Sequence, residues 1–197
     1  MKKIVITDPT KLYFASDHHF GHANVIRHCN RPYADVHEMD ADLIRRWNEY
    51  VPKDGVVIYL GDLTMNADPD VVSDYMHYKL NGEFRRFVVG NHDLKYERLG
   101  VAGCATDMLL VEVRDGDMKQ SIHCSHYPLM SWYKMHRGSW HVYGHIHNSK
   151  FQNPLARAWN VGVDVNDFRP VSYYDLKAII TDRVKTIGDF VEPNIDD

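Results

Sequence analysis

Residues 87–93 read Phe87-Val88-Val89-Gly90-Asn91-His92-Asp93. One aromatic and two β-branched residues in succession suit a strand buried on both faces, and the abrupt change to Gly, Asn, His and Asp ends it. The same break recurs along the chain. Leu12–Ser16 runs into Asp17-His18-His19, and Val56–Leu60 into Gly61-Asp62. Ser121–Cys124 runs into Ser125-His126, and Trp140–Tyr143 into Gly144-His145-Ile146-His147. Short buried strands that stop at polar turn residues, with helical patterns between the early ones, predict a mixed α/β sheet covered by helices. Ligands of such sheets gather beyond the carboxyl ends of the strands.

The helical patterns are specific. Val36, Met39, Leu43, Trp47 and Tyr50 keep helical spacing behind Asp35, with Glu38 placed for a capping box, so a helix is expected over about 36–50. A second should begin at Asp68-Pro69 and stop at Asn81-Gly82, and a short one should cover His22 to His28. Leu109–Val113 and Met118–Cys124 flank an Asp-Gly turn and read as a hairpin. Ala158–Val165 reads as one more strand, Val171–Thr181 as a strand or short helix, and the acidic tail over 189–197 as a fraying end.

Composition narrows the classes. The chain has 197 residues, 44% apolar and 25% charged, which suits one domain over 1–197 with its own core. Its net charge of −4 argues against a surface built for nucleic acid. Three cysteines, Cys29, Cys104 and Cys124, form no C-x-x-C pair, so reduced thiols in a cytoplasmic protein are expected. The apolar run at the start breaks at Asp8, too short for a signal peptide, and no stretch is long enough to span a membrane. Thirteen histidines are the unusual count.

The polar strand ends pool two carboxylates (Asp17, Asp62), one amide (Asn91) and four imidazoles (His19, His126, His145, His147). That donor set suits Mn, Fe, Zn, Co or Ni and is too rich in nitrogen for Mg or Ca. Seven ligands exceed the needs of one ion. Two ions sharing a carboxylate would use them all. In an extended segment His145 and His147 would point to the same side.

Taken in order, D-x-H (17–19), G-D (61–62), G-N-H-D (90–93), the lone His126 and G-H-x-H (144–147) resemble the calcineurin-like metallophosphoesterase family. The likeness runs from Leu12 to about Val165 and is to the small bacterial and phage members, which also share Phe20-Gly21-His22 and Asn160-Val161-Gly162-Val163-Asp164. The resemblance implies an α/β/β/α sandwich with mixed sheets. It implies two divalent cations, Mn2+ first among the candidates. Asp17, His19, Asp62 and His147 would hold one, and Asp62, Asn91, His126 and His145 the other, with Asp62 bridging and Ile146 turned into the fold. A hydroxide between the ions would attack phosphorus in line. His92 would protonate the leaving group, with Asp93 orienting His92 or capping the following turn.

The expected activity is hydrolysis of a small phosphoester. No inserted cap domain is visible, and an open site favours diesters, nucleotide-derived ones included. A phosphomonoesterase, a nuclease and a catalytically silent scaffold are the alternatives. Three further residues are candidate substrate contacts. His22 would approach phosphate or cap its helix. Arg31 would clamp phosphate or form a helix-packing ion pair. Arg137 belongs to the segment Tyr127–Trp140, whose Trp132, Tyr133 and Trp140 would stack on a base or cover the core edge. His18 is expected to support the site or to bond structurally. Self-association is left open.

Overall fold

The computed structural model describes residues 1–66, 68–93 and 104–189. Within them lie ten strands and four α-helices. One five-stranded sheet runs β1 (Lys2–Ile6), β6 (Met108–Asp115), β7 (Met118–Ser125), β8 (Trp140–Tyr143) and β9 (Ala158–Asn160). The other runs β10 (Val171–Ser172), β2 (Leu12–Ala15), β3 (Val56–Tyr59), β4 (Glu83–Val88) and β5 (Ala105–Thr106). Both sheets are mixed: β6–β7 and β10–β2 are antiparallel, and the other pairs are parallel.

Strand alternation builds the layers. Leu12, Phe14, Ile58 and Val88 of the second sheet pack with Leu109, Val111, Ile122, Cys124, Trp140 and Val142 of the first, so the sheets share one core. The alternate residues Tyr13, Ala15, Val57, Tyr59 and Phe87 face the opposite way, toward α1 (Ala23–His28), α2 (Val36–Tyr50) and α3 (Pro69–Asp74). The last helix, α4 (Tyr173–Ile187), drives Tyr173, Leu176 and Ile180 into the core between the sheets and touches the edge strands β9 and β10. On the outer face of the first sheet, Tyr143 and Ala158 are covered by Leu129, Trp132, Met135 and Leu155 from loops. No described residue there is α-helical.

Local chemistry explains the helix ends. Asp35 accepts from the amides of His37 and Glu38, while Glu38 reaches back to the amide of Ala34 at 2.6 Å, one residue earlier than a capping box requires. The helix from Asp68 continues through Tyr75–Lys79 with a wider turn before Leu80. The hairpin turns at Gly116-Asp117. Two expectations are corrected. Val171–Thr181 divides into a two-residue strand and the first part of a fifteen-residue helix, because Ser172 caps α4 through the amide of Asp175. Ala158–Val165 is strand only to Asn160; Val163–Val165 is a 3-10 turn. Among the described residues no disulfide is formed, and Cys29 and Cys124 are buried. Among the described residues no helix is long and apolar enough to cross a membrane. Apart from Asp189, the fraying tail of 189–197 lies outside the described residues.

Candidate metal centre

The parallel strands β2, β3 and β4 end beside the parallel strands β7, β8 and β9, so the polar termini of both sheets meet at one rim. Backbone bonds stitch them together. Asp17 N–H donates to Gly61 O at 3.0 Å, His19 N–H to Asp62 O at 3.1 Å, and Gly144 N–H to His126 O at 2.9 Å. His145 N–H donates to the Asp17 carboxylate at 2.9 Å, crossing from one sheet to the other.

Strands β2, β3 and β8 end in left-handed turns. Asp17, His19, Asp62, His145 and His147 all have φ between 47° and 70°. Non-glycine residues adopt that conformation rarely, and such residues concentrate at functional sites. This corrects the expected geometry of the two late histidines: β8 stops at Tyr143, and His145 and His147 are set by the turn, not by strand alternation. Ile146 between them is half-buried against the outer-face cluster, as expected. Glycine is needed at two adjoining positions, since a Cβ on Gly90 would overlap the Asp62 carboxylate and one on Gly144 the Asp17 carboxylate.

All seven expected ligands are brought together, and they divide around Asp62. On one side, ligand atoms of Asp17, His19 and His147 lie within 4.8 Å of one another. On the other, Asn91 Oδ1 lies 3.0 Å from His126 Nε2 and 2.8 Å from His145 Nδ1. Asp62 Oδ2 stands 3.6 Å from His19 Nε2 and 3.5 Å from His126 Nε2. Those distances exceed a good hydrogen bond.

The residues fit a divalent cation on two independent observations. Asp17, His19, Asp62 and His126 are buried, and both ring nitrogens of His19 lack a hydrogen-bond partner among the described residues. Buried polar atoms without partners are rare and demand an explanation. Burial also pushes the Asp17 carboxyl above its ordinary range and holds the His19 ring far below its own. A cation would stabilise the ionised carboxylate and the neutral imidazole together.

Supporting contacts aim the rings. His126 Nδ1 donates to Leu60 O at 2.7 Å, leaving Nε2 directed at Asp62. His147 Nδ1 donates to Asp164 Oδ2 at 2.7 Å, which fixes the plane of its ring. Burial opposes a charge on His147, but the hydrogen bonds of Asp164 and Cys29 raise its pKa to about 10. Asp164 was not among the expected site residues. Its signal lay only in the Asn160–Asp164 likeness, because its partner Arg31 is 133 residues away.

Four expectations about neighbouring residues change. Of the two readings of Arg31 the ion pair stands and the phosphate clamp does not: its side chain is buried, and Asp164 and backbone carbonyls engage it. Among the described residues Asp93 makes no bond to the His92 ring, and the turn it was expected to cap lies in 94–103, outside them. Asp93 accepts from the amides of Asp62 at 2.6 Å and Gly90 at 2.9 Å, and burial pushes its pKa up to about 7. Arg137 precedes the amino end of β8, whereas the centre lies beyond its carboxyl end. Trp140 is in the core between the sheets, and Trp132 is buried with its ring N–H on Ser139 O, so neither is free to stack on a base.

Two other histidines stay at the centre. His92 lies with Nε2 4.0 Å from Asp62 Oδ2 and is 37% exposed, open to an incoming ligand. His22 makes no capping bond; its ring centroid is 5.6 Å from that of His19 and 6.3 Å from that of His92. His18 is structural. It is buried against Phe20 and Trp47, bonds the Tyr59 hydroxyl at 2.9 Å, and is pushed by burial to a pKa of about 3. Tyr127 was expected only as part of a loop, yet its ring packs edge-on to His145 at 4.6 Å and is half exposed.

Uncharacterized protein MJ1445 of Methanocaldococcus jannaschii is 34% identical to this chain over 187 residues, covering 91% of this chain and 97% of the archaeal one. The chain belongs to the MJ1445 family. The gene 66 protein of Mycobacterium phage L5 is 32% identical over 81 residues, 41% of this chain and 39% of the phage protein. No protein-family model matches the chain. Among solved structures, the protein of unknown function AQ665 from Aquifex aeolicus aligns with a TM-score of 0.62 at 21% identity, over 85% of this chain and 98% of that one. The last likeness is one of fold alone. It places this MJ1445-family member among proteins with the same strand framework.

Proposed function

We propose that the chain is a divalent-cation-dependent phosphoester hydrolase of the calcineurin-like type, acting on small phosphodiesters, nucleotide-derived ones among them, in the cytoplasm. The observation that carries the proposal is the division of seven buried or half-buried ligands into two groups around the single carboxylate of Asp62. The two facing sheets match the two central layers of such a sandwich, while among the described residues helices cover only one of its outer faces.

Asp17, His19, Asp62 and His147 would hold one cation and Asp62, Asn91, His126 and His145 the other. Cations of the manganese class would supply Lewis-acid polarisation of a phosphoryl oxygen and make a nearby water more acidic. The remaining steps belong to side chains of this protein. His92 is exposed and stands beside Asp62, so its Nε2 is placed to give a proton to the departing ester oxygen as water replaces it on phosphorus. His22, whose ring lies beside those of His19 and His92, would donate to a phosphoryl oxygen. Asp93 clamps the amides of Asp62 and Gly90, which fixes the bridging carboxylate against the G-N-H-D turn.

The test is hydrolysis of bis-p-nitrophenyl phosphate beside p-nitrophenyl phosphate by chelator-stripped protein, before and after Mn2+ is added. Restored cleavage of the diester above the monoester is expected. Monoester preference would replace the substrate class. A chain that binds Mn2+ and cleaves neither ester would be a scaffold or an enzyme of another kind.

A further inference from the structure

The Arg31 guanidinium is buried, and each of its donor directions has a partner. Nε donates to Asp164 Oδ1 at 2.7 Å and Nη2 to Asp164 Oδ2 at 2.9 Å. Nη2 also donates to Asp17 O at 2.7 Å, and Nη1 to His18 O at 2.8 Å and Met39 Sδ at 3.4 Å. These bonds tie together parts of the two sheets. Asp17 and His18 follow β2, while Asp164 stands in the turn after β9. Asp164 then accepts His147 Nδ1–H with the same Oδ2. One buried ion pair therefore holds the backbone of Asp17 and the ring of His147 at once.

The other ligand group meets this lock at one point, through Asp17. His126 is held by Leu60 O, and His145 by the Asp17 carboxylate through its amide. Neither has a hydrogen bond to Arg31 or Asp164.

We infer that Arg31 and Asp164 are positioning residues that lock Asp17 and His147 into one geometry, and so set the cation affinity of that half of the centre far more than that of the other. The inference rests on the phosphoesterase reading only for the presence of a cation. Its physical basis is twofold. A ligating histidine is aimed by the group that bonds its other nitrogen. A planar guanidinium can hold a carboxylate in two-point contact while its outer N–H groups reach carbonyls, which an ammonium cannot. Removing one partner would also leave the other as a buried, uncompensated charge.

The experiment is calorimetric titration of the stripped full-length chain with Mn2+, for the unmodified protein and for Asp164→Asn, Arg31→Met and Arg31→Lys. Two equivalents are expected for the unmodified chain. In Asp164→Asn one equivalent should weaken by about 10–100-fold and the other stay within about twofold. Arg31→Lys should resemble Arg31→Met, although it keeps the charge. Three results would overturn the inference: no change in either equivalent, equal weakening of both, or rescue by Lys. Asp164→Asn, nearly identical in shape, decides the matter where circular dichroism shows that an Arg31 variant is unfolded. An unmodified chain that takes up no Mn2+ overturns both this inference and the proposed activity. Uptake of two equivalents without hydrolysis of any phosphoester defeats the activity alone.

Discussion

His92 meets Asp62 twice: its backbone N–H donates to Oδ1 at 3.0 Å, and its ring Nε2 lies 4.0 Å from Oδ2. The two contacts separate under mutation. His92→Ala keeps the backbone bond that steadies the bridging carboxylate and removes only the ring. Mn2+ binding should therefore be retained while turnover falls by about 10²–10⁴-fold, the range for losing a general acid. The fall should be steepest for esters with poor leaving groups. Equal slowing across a leaving-group series would remove His92 from the proton-donor role.

Asp62→Asn tests the centre itself. The carboxylate faces His19 on one side and His126 on the other at nearly equal distance. Losing its charge should weaken both Mn2+ equivalents and abolish hydrolysis, with both losses read in the same preparation. Retention of two tight equivalents would show that Asp62 does not bridge.

Gly90→Ala should damage the site from beneath. The new Cβ would overlap the Asp62 carboxylate, and the Gly90 amide, which bonds Asp93, would be forced to move. Overpacking of this kind costs about 1–3 kcal/mol. Thermal unfolding should show that loss, and Mn2+ binding should weaken with it. Wild-type stability and affinity in this variant would contradict the placement of the turn.

His141 gives a pH dependence away from the centre. Its Nδ1–H donates to His123 O at 3.0 Å, and its Nε2 accepts from Leu129 N–H at 3.1 Å, so only the neutral ring satisfies both. Burial pushes its pKa down to about 4. The unfolded chain therefore takes up the proton first, and stability falls as pH drops from about 6.5 to about 4, by at most roughly 1.4 kcal/mol per pH unit. His18, also pushed down by burial, adds to the same slope. Urea unfolding of His141→Asn at neutral and mildly acid pH should show a shallower dependence than the unmodified chain. Parallel curves would assign the slope to other groups.

Much of this was legible in the order of residues, and some of it was not. Apolar runs followed by Gly, Asp, Asn or His marked the inner strands, because a strand buried on both faces needs apolar side chains at every position and a polar break to stop. The cap of α2 was legible for the same local reason: Asp35 bonds amides two and three residues ahead. The seven ligand types were legible because each sits at one of those breaks. What lay out of reach depends on residues far apart in the chain. The left-handed turns at Asp17, His19, Asp62, His145 and His147 are held by bonds between strand ends that meet only when both sheets pack. Arg31 fits a phosphate clamp or a packing ion pair equally in sequence, and only Asp164 beside it decides for the pair. Trp140 fits a base platform or a core cover equally in sequence, and only its place between the sheets, stacked on Tyr173, decides for the core. Arg137 read as a substrate contact until the direction of β8 put it at the opposite end. The sequence by itself determined which residues end the strands and what chemistry they carry, since that depends on local polarity and hydrogen bonding. Only the tertiary structure decided which of them face one another, since strand order, sheet facing and buried charge pairing are set by contacts across the whole chain.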